Sequence, residues 1–174
     1  MENKLTFRKL KIEELGILTE LFNYKNIDEM IEENTESISN RLRDIFVLFC
    51  NDKLIGELHV SYENENPIFA QKDKRAYLFA YRIHKDFQGQ GFGKILLENT
   101  LKELEKQGYY EFTVGVEDDN IRARYIYEKY GFDTVISRQK ESYQGDIYEY
   151  DLLLKYYSHE RKEKYEGFRN YESA

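Results

Sequence analysis

Apolar positions along the chain change repeatedly between a period near two and a period near 3.6, the pattern of strands interleaved with helices. Lys4 to Lys9 reads as a short strand. Ile12 to Tyr24 carries Leu15, Leu18, Leu21 and Phe22 at helical spacing and predicts an amphipathic helix. Ile27 to Leu42 continues helically, with a break expected around Asn34 to Ser37. Its Glu29, Glu32, Glu33 and Glu36 read either as a solvated face or as part of the lining of an acceptor site. Two β-rich runs follow, Asp44 to Cys50 and Lys53 to Tyr62, joined by a hairpin turn at Asn51-Asp52. The polar stretch Glu63 to Lys74, with the only proline, Pro67, reads as a loop that either borders a cleft or covers plain surface. Arg75 to Ile83 is strand-like, Tyr77, Phe79, Tyr81 and Ile83 alternating with shorter or polar neighbours. Gly91 to Gln107 predicts a helix capped by Gly108, Tyr109 to Val116 a strand, and Asn120 to Tyr130 a helix stopped by Gly131. Phe132 to Tyr157 predicts a hairpin turning near Gln144-Gly145-Asp146.

This order, βααββ, β, α, β, α, ββ, predicts an α/β chain of the α+β type, with helices packed on one mixed sheet and no internal repeat. One domain over residues 1–157 accounts for it. The tail 158–174, with Tyr165, Phe168 and Tyr171, reads as a frayed helix or a docking arm.

Composition narrows the classes. At 174 residues the chain is long enough for one sizeable core, and 41% hydrophobic with 16% aromatic content excludes general disorder. A net charge of -7 argues against a nucleic-acid backbone as partner and suits a cationic acceptor. The single cysteine, Cys50, lies in a strand-like run and reads as a small buried hydrophobe rather than a nucleophile. No apolar run approaches membrane-spanning length and the N-terminus lacks a signal-peptide pattern, so no membrane role and a cytoplasmic location are expected. His59 and His159 lack companions at ligand spacing, and no metal is expected.

The chemistry is concentrated in Phe87-Gln88-Gly89-Gln90-Gly91-Phe92-Gly93-Lys94, where alternating glycines run into an apolar helical pattern. Such a turn exposes main-chain N–H groups at a helix N-terminus and suits an anion, although a tight turn before a surface helix would read the same. It is no P-loop: that motif needs Gly where Gln88 stands and Ser or Thr where Ile95 stands. The dinucleotide fingerprint fails too, because its third glycine would fall at Lys94. A second segment completes the pattern, Asn120-Ile121-Arg122-Ala123-Arg124-Tyr125-Ile126-Tyr127-Glu128-Lys129-Tyr130-Gly131-Phe132. Together Gln88-x-x-Gly91-x-Gly93 and this segment closely resemble the two signature motifs of the GNAT superfamily of acyl-CoA-dependent N-acyltransferases.

The resemblance implies a GNAT-like fold, a central mixed, mostly antiparallel sheet of about seven strands flanked by about four helices, with two strands splayed at the cofactor. It implies acetyl-CoA as co-substrate. The pyrophosphate would sit on Gln88, Gly89, Gln90, Gly91, Phe92, Gly93 and Lys94. The pantetheine arm would run past Ile83, His84 and Lys85, with Asn120 and Tyr127 contributing from the second segment. The family often has a basic residue where Gln88 sits and a proline where Lys85 sits.

Asn120 reads on its own as a helix N-cap, and the resemblance adds a pantetheine contact. Tyr127 reads on spacing alone as core. The resemblance assigns it as the general acid that protonates the departing thiolate. The implied reaction is direct attack of a neutral amine on the thioester in a ternary complex, with Glu57, Tyr81 and His84 as candidate bases. Taken as residues alone, Glu57 reads as a surface carboxylate, Tyr81 as a packed aromatic and His84 as solvent-exposed. The acceptor is expected to be a primary amine of a small molecule or protein, and family habit suggests a homodimer. A non-catalytic acyl-CoA-binding module and a structural domain whose glycine turn binds nothing are the alternative readings.

Overall fold

The computed structural model describes residues 2–143 and 145–156. Seven strands alternate with helices: β1 (Leu5–Lys9), α1 (Ile27–Ser39), β2 (Arg43–Cys50), β3 (Lys53–Ser61), β4 (Arg75–Ile83), α2 (Phe92–Lys106), β5 (Glu111–Glu117), α3 (Ile121–Lys129), β6 (Thr134–Tyr143) and β7 (Asp146–Tyr156). Two 3-10 helices, Ile12–Glu20 and Lys85–Phe87, complete the set. The sheet order is β1-β2-β3-β4-β5-β7-β6, and the β1–β2, β2–β3, β5–β7 and β6–β7 ladders are antiparallel. The sequence expectation of a seven-stranded α/β fold holds. No described helix is long and apolar enough to cross a membrane. The C-terminal tail, with His159, lies outside the described residues.

The chain forms two compact units. The first holds the chain through Glu63 together with Leu78–Glu103. Its core gathers Leu10, Leu15, Leu18, Met30, Ile45, Val47, Phe49 and Leu54. Fully burying a Leu side chain contributes about 1.5–3 kcal/mol, and Leu15 and Leu18 provide two such anchors from one short segment. Asn51 and Asp52 take φ 49 and 67, the left-handed pair that a two-residue hairpin needs, and Cys50, buried, faces Lys53 across the turn. Glu29, Glu32, Glu33 and Glu36 are exposed along α1.

Three expectations are corrected here. The first helix is the 3-10 segment Ile12–Glu20 and ends before Tyr24, in keeping with a short element that carries Gly16 at its middle. Helix α1 runs unbroken through Asn34, because that side chain is satisfied locally: its amide donates to the Met30 carbonyl at 2.9 Å and its oxygen accepts from Arg43 at 2.8 Å. Strand β4 does not alternate simply, because Ala80 takes φ 49 inside it. A left-handed residue in mid-strand shifts the side-chain alternation by one position, as a bulge does.

The contacts follow that shift. Glu57 and His59 share one face of β3, and Gly56 looks to the other. The Phe79 ring packs on His59 with centroids 5.3 Å apart, and Arg82 reaches Glu57 at 3.0 Å. Phe79 and Arg82, three apart, therefore share a face. Tyr81 and Ile83 take the opposite one, where a Cβ at Gly93 would lie 2.7 Å from the Tyr81 hydroxyl and a Cβ at Gly56 would lie 2.8 Å from Ile83.

The second unit holds Asn64–Tyr77 and the chain from Leu104 onward. Phe69, Tyr150 and Leu152 form a small core against Ile68, Tyr77, Ile136 and Tyr148. The buried pair Arg75–Glu111 joins β4 to β5 at 3.0 Å, and Arg75 also donates to the Ile68 carbonyl. The Tyr150 ring packs beside Gly115, where a Cβ would come within 2.8 Å of it.

Candidate functional site

In the first unit, β4 ends at Ile83 and the chain turns through Lys85–Phe87 into the glycine run. His84 caps that turn: its backbone N–H donates to the Ile55 carbonyl at 2.7 Å, and its Nδ1 accepts from the Asp86 N–H at 3.2 Å. The ring is mostly buried, with 16% of its side chain exposed, which corrects the expectation of a solvent-exposed histidine. Gln88 folds back to donate to the Ile83 carbonyl at 2.9 Å, and Gln90 does the same to the Asp86 carbonyl at 3.2 Å. A glutamine at position 88 thus serves as a brace where the family often has a base.

Gly89 and Gly91 take φ 76 and 86, and nothing lies within 4 Å of where their Cβ atoms would be. Conformation, not space, requires glycine at both positions. Gly93 is different, because the Tyr81 hydroxyl fills the space beside it. Below the loop, His84, Phe87 and Phe92 form a ladder of edge-to-face rings 5.7 and 5.9 Å apart, with the Lys53 ammonium over Phe87. The loop is held from underneath while Gln88, Gly89, Gln90, Gly91 and Lys94 stay exposed. The N–H groups of Phe92, Gly93 and Lys94 precede the first helical bond of α2, which Ile95 makes to the Gly91 carbonyl at 3.2 Å, and are the donors suited to an anion.

Alanine at Gly91 should cost about 1–2 kcal/mol, because a left-handed alanine is strained even where its Cβ meets nothing. Thermal unfolding should show the Gly91→Ala midpoint lowered by about 2–8 °C.

In the second unit, Asn120 caps α3 by accepting from the Ala123 N–H at 3.2 Å, the structural role expected of it. At the other end of α3 the Phe132 N–H donates to the Tyr127 carbonyl and the Gly131 N–H to the Glu128 carbonyl, both at 3.0 Å. With Gly131 at φ 94 this is a Schellman cap, and its accompanying apolar contact is Tyr127 on Phe132, rings 5.8 Å apart. The spacing Tyr127-x-x-x-Gly131-Phe132 is therefore a device that fixes Tyr127. Tyr127 is 7% exposed and Tyr125 67%, so the two tyrosines, two positions apart on a helix, point in different directions. Burial raises the Tyr127 pKa, with the neighbouring Tyr77 adding to the shift, and the phenol stays protonated at neutral pH. Tyr77 is itself pushed up to about 12, chiefly by burial.

A model of the Acetyltransferase (GNAT) family matches residues 13–132. The chain belongs to the GNAT family. Among known proteins it is similar to the [ribosomal protein bS18]-alanine N-acetyltransferases of Escherichia coli K12 and Haemophilus influenzae, 38% and 39% identical over 64 residues. Those stretches cover 37% of this chain and only 43% of each relative. The fold is shared with the ribosomal-protein-S18-alanine N-acetyltransferase of Escherichia coli (TM-score 0.69, 21% identity, 89% of this chain and 95% of that one). It is shared equally with the spermidine/spermine N-acetyltransferase SpeG of Vibrio cholerae (0.71, 22%, 91% and 96%). The protein yncA of Salmonella typhimurium, solved with its cofactor acetyl-CoA, also matches (0.68, 15%, 89% and 95%).

Within this GNAT chain the base candidates separate. Tyr81 faces Gly93 on the α2 side of β4, whereas Glu57 faces the opposite side. Glu57 is also no surface carboxylate. It is fully buried, with Oε2 2.7 Å from His59 Nε2 and Oε1 accepting from Arg82 at 3.0 Å. His59 Nδ1 is buried without a hydrogen-bond partner, and desolvation lowers the His59 pKa, so the ring is neutral and Glu57 holds its proton on Nε2. Sequence reasoning missed Arg82, His59, Phe22 and Tyr24 as one cluster. The available signal was the polar pair Glu57 and His59 on alternate positions of an otherwise apolar strand.

Proposed function

We propose that the protein transfers an acetyl group from acetyl-CoA to a primary amine of a small molecule or protein, by direct attack in a ternary complex. The observation that carries this reading is the Gln88–Lys94 loop, left-handed at two glycines, exposed above an aromatic ladder and opening onto the N-terminus of α2. In a GNAT chain such a loop is suited to the cofactor's pyrophosphate, with Lys94 adding charge. Ile83, His84 and Lys85 would flank the pantetheine arm, and Asn120 would meet it from the second motif. Bound acetyl-CoA supplies an activated thioester.

The protein's own groups supply proton handling. Tyr127, kept protonated by burial, donates to the departing thiolate. The attacking nitrogen must be neutral, and a base takes its proton directly or through water. Both Glu57 oxygens are engaged and His84 Nδ1 already accepts a backbone N–H, so Tyr81 and the His84 Nε2 remain the candidates. The acidic balance of -7 favours approach of the acceptor as an ammonium ion. The names of the relatives span a protein alanine and a polyamine, and either kind of acceptor fits this chemistry.

Acetyl-CoA at a hundredfold over its Kd should stabilise the fold by about 2.7 kcal/mol, read as a raised midpoint in thermal unfolding. With an amine panel added, CoA thiol should appear. A raised midpoint without thiol on any amine would make the protein an acyl-CoA-binding module, and no shift at all would remove the donor assignment.

A further inference from the structure

On the face of β3 and β4 away from α2, a guanidinium is held in place from three sides. Arg82 donates through Nη1 to the buried Glu57 at 3.0 Å and to the Tyr24 hydroxyl at 3.3 Å, and its Cζ lies over the Phe22 ring, 3.8 Å from the ring centre. Glu57 is itself fixed by His59. The described hydrogen bonds of Arg82 all leave from Nη1, and its side chain remains 26% exposed. A second cation, Arg43, stacks on Phe79 of the same face, with its Nε buried and unpartnered. Glu33, on the exposed side of α1, is the acid that acts on Arg43, and His59 is neutral. Two arginines thus share this face with one buried carboxylate.

A guanidinium pre-oriented in this way, stacked on an aromatic ring with part of its fork uncommitted, matches the planar bidentate geometry of a carboxylate. A purely structural ion pair would not need the Phe22 and Tyr24 clamp, and burying Glu57 for stability alone is a poor bargain against an apolar pair. Arg82 also lies between Tyr81 and Ile83, in the strand that leads directly into the cradle.

We propose that Arg82 anchors a carboxylate on the acceptor, so that the substrate is a carboxylate-bearing amine: an amino acid or a short peptide rather than a simple amine. This inference rests on the acetyl-transfer reading above. It makes Arg82 a residue for acceptor specificity, with Glu57, Tyr24 and Phe22 positioning it.

The test is a panel of amino acids and dipeptides, each paired with its C-terminal amide, assayed by CoA thiol release from acetyl-CoA. Within the best pairs the acid should exceed the amide in kcat/KM by about tenfold to a hundredfold, carried mainly by KM, as expected for one charge-assisted bidentate contact. Arg82→Gln should bring that ratio toward one. Because Arg82→Gln leaves Glu57 buried beside an uncharged partner, Arg82→Lys is the companion variant: it keeps the charge, loses the fork, and should also shrink the ratio with a midpoint close to that of the unaltered protein. Equal rates for acid and amide, or a ratio that survives both substitutions, would overturn the proposal. Turnover of simple amines or amides alone would overturn it while sparing the acetyltransferase reading. Absence of any acetyl-CoA-induced rise in the unfolding midpoint would sink that reading and the proposal with it.

Discussion

Tyr127→Phe should lower kcat for CoA thiol release by about 10²–10⁴-fold with little change in the unfolding midpoint, the loss expected when a positioned general acid is removed. The substitution is clean because of how α3 ends. The Schellman cap is made by the backbone of residues 127, 128, 131 and 132, and the ring contact with Phe132 survives in phenylalanine. Only the hydroxyl is lost. Burial raises the Tyr127 pKa, so the phenol is in its donating form throughout the neutral range and the slow variant should keep the pH dependence of acceptor attack. Tyr125→Phe, two positions away and exposed, is the control and should leave the rate as it is. A Tyr127→Phe variant as fast as the unaltered protein would return Tyr127 to a packing role.

The largest stability effect belongs to Glu57→Ala. Removing one partner of a buried ion pair leaves the other charge uncompensated, at a cost of about 3–5 kcal/mol, or roughly 6–20 °C in the unfolding midpoint for a chain of this size. Here Arg82 and His59 would both lose their carboxylate partner. Were Glu57 a base on a solvated surface, the loss would fall on the rate and spare the midpoint. Circular dichroism melts of Glu57→Ala beside Glu57→Gln separate these outcomes, because the amide keeps the shape and part of the hydrogen bonding.

Features that one or two residues dictate locally were legible in the sequence. Asn51-Asp52 tolerates left-handed backbone, Gly108 and Gly131 end helices, and Asn120 caps one, each through chemistry confined to a single turn. The two glycine-bearing motifs were legible for the same reason, and their family followed. Features set by the partner across the sheet were not. Ala80 carries no turn signal, so the shift of alternation it imposes on β4 was invisible, and with it the separation of Tyr81 from Phe79 and the placing of Phe79 and Arg82 on one face. Glu57 read as solvated because charge in a strand usually is; its burial depends on Arg82, 25 residues away, and on His59. Ile12–Glu20 kept its helical spacing and its buried leucines but not the α-helical hydrogen bonding, a distinction apolar periodicity hardly registers.

The left-handed alanine of β4 also bears on how this chain can change. A strand read two residues at a time has a parity, and Ala80 inverts it once, sending Tyr81 and Ile83 to the helix side and Arg82 to the other. Deleting Tyr81 would move Arg82 into its position and bring a charged side chain under α2 in place of the tyrosine ring. Substitutions in that segment can be tried one at a time, whereas a one-residue deletion after Ala80 sends the residues that follow it to the opposite surfaces. The exposed residues 63–65 carry no such arithmetic, and new length is more readily added there than beside the packed Ile68 and Phe69 of the same loop.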